Sequence, residues 1–501
     1  MRYRAAALAL MLATPVFAAD LRTEVSGHRA GREAAIVGQL DQLIRMRSIA
    51  ADPAGLSATA AHLEDLLKAR GFQTASWSTG NMPPVVFGFL KSPGARHTVV
   101  FYAHYDGQPV TPQQWSSDPF SPVMRDGLAG KDVDWKSARP PFDPEWRLFG
   151  RGAADDKSAI VVFLAGFDAM KALHRKPSVN IKVVWEGEEE KSSPHLEAIL
   201  KSHATDLAAD LWLIGDGPVH QSRTPTLYFG ARGSLSLEAT VYGPLRALHD
   251  GHYGNWAPNP AAMAGELIAQ MRDSEGRILI PGFADDVRPL GEAERSAIAH
   301  LPPVEEKLKQ EFGIGRSEGG EGLTASTMRP ALNIRGIKSG QVGAEAANAI
   351  PVDAQISIDF RLVPGQTPER VRAKLDAFLK SKGWTVVTAA PDAAMRAAHP
   401  RIIQLSWGGG YPALRSDMTG PAARGVVAAA QKAAGGPVTV LPMMGASVPI
   451  DLFDEIFHVP VIGLPIGNHD NNQHAANENL RLRNLWDGID LYAGMMAALD
   501  W

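Results

Sequence analysis

The chain predicts an α/β protein: a mostly parallel sheet flanked by helices, with an inserted α+β sandwich domain. Three observations carry this reading. Short apolar runs alternate with helix-length segments across 97–214, the rhythm of βαβ units and hence of a parallel sheet. After Gly233 the pattern changes to half-buried strands that alternate apolar and polar residues, joined by amphipathic helices. From Gly420 the first style returns, so one domain is assembled from both ends of the chain around an insertion.

Each element follows from local pattern. Apolar residues at helical spacing predict helices over 33–46 and 57–70, the second stopped by Gly71. A strand over 97–104, a helix over 157–173, a strand over 179–185, a helix over 194–207 and a strand over 210–214 follow. The insertion reads as a strand over 234–242, helices near 260–271 and 292–312, strands over 331–337 and 354–362, a helix over 368–382 and a strand over 402–407. A helix over 422–434, a strand over 459–465 and a long helix over 477–499 close the chain. The expected organisation is a leader over 1–19, a first domain split into 20–233 and 416–501, and an inserted domain over 234–415.

The leader is read from Arg2 and Arg4, the apolar stretch 5–13 and the small-residue signal Val16-Phe17-Ala18 before Asp20. It implies an exported protein, periplasmic or secreted. No later segment is apolar enough for the roughly 20 residues a membrane span needs. At 501 residues the chain exceeds one compact core, and 45% hydrophobic residues describe an ordered globular protein. A net charge of −4 gives no reason to expect nucleic acid or an anionic membrane as partner. With no cysteine, any metal must be held by nitrogen and oxygen.

Acidic residues and histidines end the predicted strands. They are His104 and Asp106 after T-V-V-F-Y-A, Asp155 in R-G-A-A-D-D-K-S, Glu189 and Glu190 in V-V-W-E-G-E-E-E, Asp216 in L-W-L-I-G-D, and His474 in N-N-Q-H-A-A-N-E. Ligands of open α/β sheets bind at the carboxyl ends of strands, so these groups converge on one site, and a hydrolytic metal centre is the leading reading. His104 and Asp106 share a strand face, which places Asp106 to orient the imidazole. Asp155 can bridge two cations about 3.5–4 Å apart. The plainer role at that place is a helix N-cap, for which Asp156 is the candidate. Glu188, Glu189 and Glu190 repel one another unless a cation offsets the cost. Glu189 and Glu190 can then divide the work between metal ligation and proton transfer.

The segments H-Y-D-G-Q-P-V, W-S-S-D-P-F-S-P-V, G-R-G-A-A-D-D-K, E-G-E-E-E, A-L-H-D-G and H-A-A-N-E, in this order, resemble the di-zinc exopeptidases of peptidase family M20, which include carnosinase-type dipeptidases, glutamate carboxypeptidases and aminoacylases. The resemblance implies that His104 and Asp216 ligate one zinc ion, Glu190 and His474 the other, and that Asp155 bridges both. Glu189 would be the general base and Asp106 would orient His104. Co²⁺ or Mn²⁺ would also suit such a donor set. The peptide after the bridging aspartate is often cis in this family, which makes Asp155–Asp156 a candidate.

The insertion resembles the family's lid and dimerisation module. His249 in A-L-H-D-G, with His252 as fallback, matches a histidine that stabilises the oxyanion in the partner's site of a homodimer. Arg361 matches an arginine that grips a terminal carboxylate, the alternative being a salt bridge with Asp359 or Asp353. Asn348 and the Gly445-Ala446-Ser447 segment match substrate-contact regions, with Ser447 as the contact. Met443 and Met444 stand where relatives carry a charged pair, which implies a less polar pocket. Ser158 replaces the usual glycine without expected chemical consequence. The long stretch between Arg125 and Arg147 is expected to form a rim loop narrowing the entrance. The implied reaction is amide hydrolysis of dipeptides or of C-terminal residues of short peptides. The alternatives are N-acyl-amino-acid hydrolysis and a silent binding homologue, the last disfavoured because every expected ligand is present.

Overall fold

The computed structural model describes residues 21–80 and 82–501; the expected leader, with Arg2, Arg4 and Val16-Phe17-Ala18, lies outside them. The main sheet has eight strands. In spatial order they are Gln73–Trp77, Val85–Leu90, Asn180–Glu186, Thr98–His104, Leu211–Ile214, Val461–Gly463, Thr226–Tyr228 and Thr439–Leu441. Thr98–His104 runs parallel to both its neighbours, and Val461–Gly463 runs parallel to Leu211–Ile214. The first two strands form an antiparallel edge, and Val461–Gly463 meets Thr226–Tyr228 antiparallel. The central strands are apolar on both faces because helices cover both, and residues such as Val100, Val183 and Trp212 are buried.

Helix Lys157–Ala172, buried over most of its length, lies between the sheet and the C-terminal helix Leu482–Ala498. Gly166 permits the close approach, since a side chain there would press on the backbone of Ile489 and Ala493. The insertion has its own core. Its five strands are ordered Ala331–Lys338, Asp353–Leu362, Gly233–Tyr242, Ile402–Tyr411 and Thr385–Val387, antiparallel except for the last pair. Leu235, Leu237, Ala239 and Val241 alternate with less buried residues, and helices Pro260–Met271 and Pro368–Ser381 contribute Leu267, Val371 and Leu375 to the same core.

Several expectations are corrected. The single helix over 194–207 is two short helices, Leu196–Ser202 and Ala204–Leu207. That over 292–312 is Glu292–Ala299 and Glu305–Phe312, because Pro302 and Pro303 supply no backbone N–H to continue it. The segment 477–499 begins as a strand, Asn479–Arg481, paired with Arg147–Phe149, before the helix starts at Leu482. The stretch between Arg125 and Arg147 is not a rim. Trp135 and Phe142 are buried in the main core, Trp146 stacks on Phe142, and the Phe142 N–H donates to Glu33 Oε2 at 2.6 Å. Burying such rings is worth about 1.5–3 kcal/mol each, which favours clamping the segment onto helix Glu33–Arg45 over exposing it at an entrance.

Gly463 sits at a close approach within the sheet: a Cβ there would overlap the ring of buried Tyr228, whose hydroxyl donates to the Asp216 carbonyl at 2.9 Å. Gly463→Ala is expected to cost about 1–3 kcal/mol through overpacking. The urea midpoint reads this, and an unchanged midpoint would show that the contact yields freely.

Candidate metal centre

The sheet delivers each group to one edge. His104 is the last residue of its strand, Asp216 lies two residues beyond Leu211–Ile214, and Glu189 and Glu190 open a 3₁₀ turn just after Asn180–Glu186. Asp155 comes from the loop ahead of helix Lys157–Ala172, and His474 from the loop between Val461–Gly463 and Asn479–Arg481.

Two donor groups result, His104 with Asp155 and Asp216, and Asp155 with Glu190 and His474, each with ligand atoms within 4.8 Å of one another. The two oxygens of Asp155 face opposite ways: Oδ1 lies 2.9 Å from His104 Nε2, and Oδ2 lies 3.1 Å from His474 Nε2. His474 Nε2 is also 3.3 Å from Glu190 Oε2. Glu189 Oε2 stands 3.9 Å from His104 Nε2, at the edge of the first group. The Asp155–Asp156 peptide is cis.

Asp106 does two jobs. Its carbonyl lies 3.1 Å and its Oδ1 3.3 Å from His104 Nδ1, and its two carboxylate oxygens accept the N–H groups of Glu189 at 3.2 Å and Glu190 at 3.1 Å. It therefore aligns the imidazole and the acidic turn together. Asp156 occupies the N-cap position but does not cap; its Oδ2 accepts from the His104 N–H at 3.3 Å instead.

The electrostatics fit divalent cations. Burial and the neighbouring carboxylates push Glu189 well above the usual carboxylate range, and burial together with Asp155 carries Asp216 to about 7. For His474 burial opposes the charged form, but Asp155 and Glu190 outweigh it and raise its pKa to about 10. Four carboxylates and two imidazoles packed at one point form a negative concentration that positive ions would relieve. The donors are hard oxygens and imidazole nitrogens, in sets suited to zinc or similar metals.

A cleft of about 420 Å³ opens on these groups. Besides Asp155, Glu189, Asp216 and His474 it is lined by Arg232, Asn333, Arg361, Met444, Ser447 and Gln473, among others. Arg361 does pair with Asp359, at 2.7 Å, yet its Nη1 also reaches Ser447 Oγ at 2.8 Å and it faces the cleft. No residue between Arg125 and Arg147 lines it. His249 and Asn348 do not line it either. His249 is exposed on a two-residue strand paired with Ala349–Ile350, where the Asp250 N–H donates to the Asn348 carbonyl.

Sequence reasoning missed four residues. Glu478 closes the H-A-A-N-E run and is wholly buried: it pairs with Arg151 at 2.7 Å and accepts the N–H groups of Gly152, Ala154 and Asp155. Gln108, in H-Y-D-G-Q-P-V, donates to Glu190 Oε2 at 2.7 Å. Gln473 donates to Asp155 Oδ2 at 2.8 Å. Arg232 lines the cleft almost fully buried, its Nε without a partner among the described residues. The first two lie in motifs that carried the resemblance, so their place in the chain was a usable signal.

Paired carboxylate and imidazole groups at the carboxyl edge of a parallel sheet, open to a cleft, define a metallohydrolase. The sequence model for "Peptidase family M20/M25/M40" matches residues 100–498, and the chain belongs to this family of metallopeptidases. It is 28% identical over 418 residues to Cys-Gly metallodipeptidase dug1 of Schizosaccharomyces pombe, covering 82% of each chain. It is 26% identical to the beta-Ala-His dipeptidase of Rattus norvegicus, covering 83% of this chain and 80% of that one. Among solved structures, the M20 family metallo-carboxypeptidase Sso-CP2 from Sulfolobus solfataricus superposes with a TM-score of 0.74 at 25% identity, over 93% of this chain and 99% of that one. Human carnosine dipeptidase 1 shares the fold with a TM-score of 0.74 at 24% identity, over 95% and 99%.

Glu478→Ala leaves Arg151 and three N–H groups buried without their acceptor. Removing one partner of a buried pair costs about 3–5 kcal/mol. A denaturant titration is expected to show that loss, and dialysis against buffer to strip metal from the variant faster than from the parent. Parental stability would deny Glu478 its anchoring role.

Proposed function

We propose that the protein is an exported dipeptidase or carboxypeptidase that hydrolyses the amide bond next to a free C-terminal carboxylate. The observation that carries this is the sharing of Asp155 between two donor groups, with Glu189 beside them and Arg361 in the same cleft. The relatives named for Cys-Gly and beta-Ala-His dipeptides support a dipeptide substrate.

His104, Asp216 and Asp155 would hold one divalent cation, and Glu190, His474 and Asp155 the other. When bound, two zinc ions or similar cations supply Lewis acidity, polarising the scissile carbonyl and acidifying a water. Glu189, not needed as a ligand, takes the water's proton on its carboxylate and returns it to the leaving amine. Asp106 keeps His104 and the Glu189–Glu190 turn in register during that transfer. Arg361, steadied by Asp359 and Ser447, turns its guanidinium to the substrate's terminal carboxylate, which sets the register of the scissile bond. In a homodimer formed through the lid, the partner's His249 donates to the oxyanion; its exposure here agrees with that use. Asn348, beside it, would meet the substrate from the same side.

Met444 and Val448 give the cleft an apolar wall that would also suit an acyl group, so N-acyl-amino-acid hydrolysis is the second reading. Dipeptides and N-acetyl amino acids assayed side by side, with Glu189→Gln as control, test both. Faster turnover of dipeptides, lost in Glu189→Gln with metal content retained, is the expected result. Faster turnover of N-acetyl amino acids selects the second reading, and full activity in the variant removes Glu189 from its role.

Export rests on the sequence of 1–19. Among the described residues no helix is long and apolar enough to cross a membrane. The intact mass of protein recovered from the periplasm or medium is expected to lack that leader, and sedimentation to report a dimer. A full-length mass or a monomer would overturn the respective statement.

A further inference from the structure

Gln473 stands in the cleft directly ahead of the ligand candidate His474, and nothing in the mechanism above uses it. Its carboxamide Nε2 donates to Asp155 Oδ2 at 2.8 Å, the same oxygen that His474 Nε2 approaches at 3.1 Å. The other oxygen of Asp155 belongs to the His104 side. The backbone fixes this placement. The Gln473 N–H is held by Asn471 Oδ1 at 2.6 Å, and the flanking residues Asn472 and His474 have φ of 57° and 61°. Non-glycine residues are uncommon in that left-handed region, though Asn and His enter it more readily than most.

We infer that Gln473 is a positioning residue for the Asp155–Glu190–His474 group: its N–H holds the shared carboxylate so that Oδ2 faces that group, and thereby sets the group's affinity for a divalent cation. The inference rests on the two-cation reading above. The physical reason is that a ligating carboxylate oxygen that loses its outer hydrogen bond is aimed less firmly, and loss of such partners typically weakens metal binding by roughly 10–100-fold. The effect is one-sided. Oδ1 keeps its contact with His104, which Asp106 orients independently. Gln108, donating to Glu190 Oε2, is the matching amide on the other carboxylate of the same group.

The experiment is a calorimetric titration of the metal-depleted full-length protein with Zn²⁺ alone, comparing the parent with Gln473→Met and Gln473→Ala. Methionine keeps the length of the side chain and removes the donor, and alanine removes both. Circular dichroism and melting are read in parallel, and parental folding is expected because Gln473 is only half-buried. The expected result is two binding steps in the parent, with one weakened about 10–100-fold in both variants and the other changed less than about twofold. If both steps shift together, or neither does, Gln473 does not act on that group and the inference is overturned. A single step in the parent would overturn the two-cation reading and this inference with it. Dipeptide turnover by the zinc-loaded parent reports separately on the proposed reaction, so the two failures are distinguishable.

Discussion

The carboxylate of Glu478, buried completely, accepts three backbone N–H groups from the Gly152–Asp155 loop and pairs with the equally buried Arg151. A charge in that position has no water to solvate it, so the loop must present its donors or the fold pays several kcal/mol. The consequence is geometric. Residues more than 300 positions apart are locked together, and the loop so fixed is the one that carries the shared Asp155. Asp155, its backbone N–H so anchored, presents one oxygen to the His104 side and one to the His474 side.

A second constraint is the concentration of negative charge. Glu189, Glu190 and Asp216 are each pushed up by burial and by neighbouring carboxylates, Asp155 among them in every case, while Asp155 is pulled down by the imidazoles despite its burial. Such a cluster is costly in the empty protein and favourable around cations, so stability of the centre and its occupancy are linked. The sheet bears that cost: central strands with no exposed residue hold the groups at their ends, and Asp106 ties His104 to the acidic turn.

The strand-end positions of His104, Asp216 and the two glutamates were legible because unbroken apolar runs such as L-W-L-I mark buried strands, and a carboxylate straight after such a run stands at the sheet's edge. The inserted sheet was legible from the alternation of Ser234 to Tyr242. What escaped was long-range. Asn479–Arg481 reads as the first turn of a helix, yet its partner Arg147–Phe149 draws it into a sheet, a pairing no local pattern encodes. The length of the 126–146 stretch suggested a rim loop, and the burial of Trp135 and Phe142 against helix Glu33–Arg45 depends on surfaces brought together only by folding. Gln108 and Gln473 were passed over because an uncharged amide carries no signal apart from the carboxylate it meets.

Strand Val461–Gly463 slots between Leu211–Ile214 and Thr226–Tyr228, which the ribosome makes more than 200 residues earlier. While the chain is being synthesised, the side of Leu211–Ile214 that will receive it stays an open hydrogen-bonding margin on an apolar strand, a surface prone to misassociation. The insertion draws its core from residues between Leu235 and Leu405, so it can collapse first, as a unit. A chain that stalls before Glu478 and His474 emerge therefore has neither the clamp on the Asp155 loop nor the second imidazole, and synthesis is nearly complete before the Asp155–Glu190–His474 donor group can assemble.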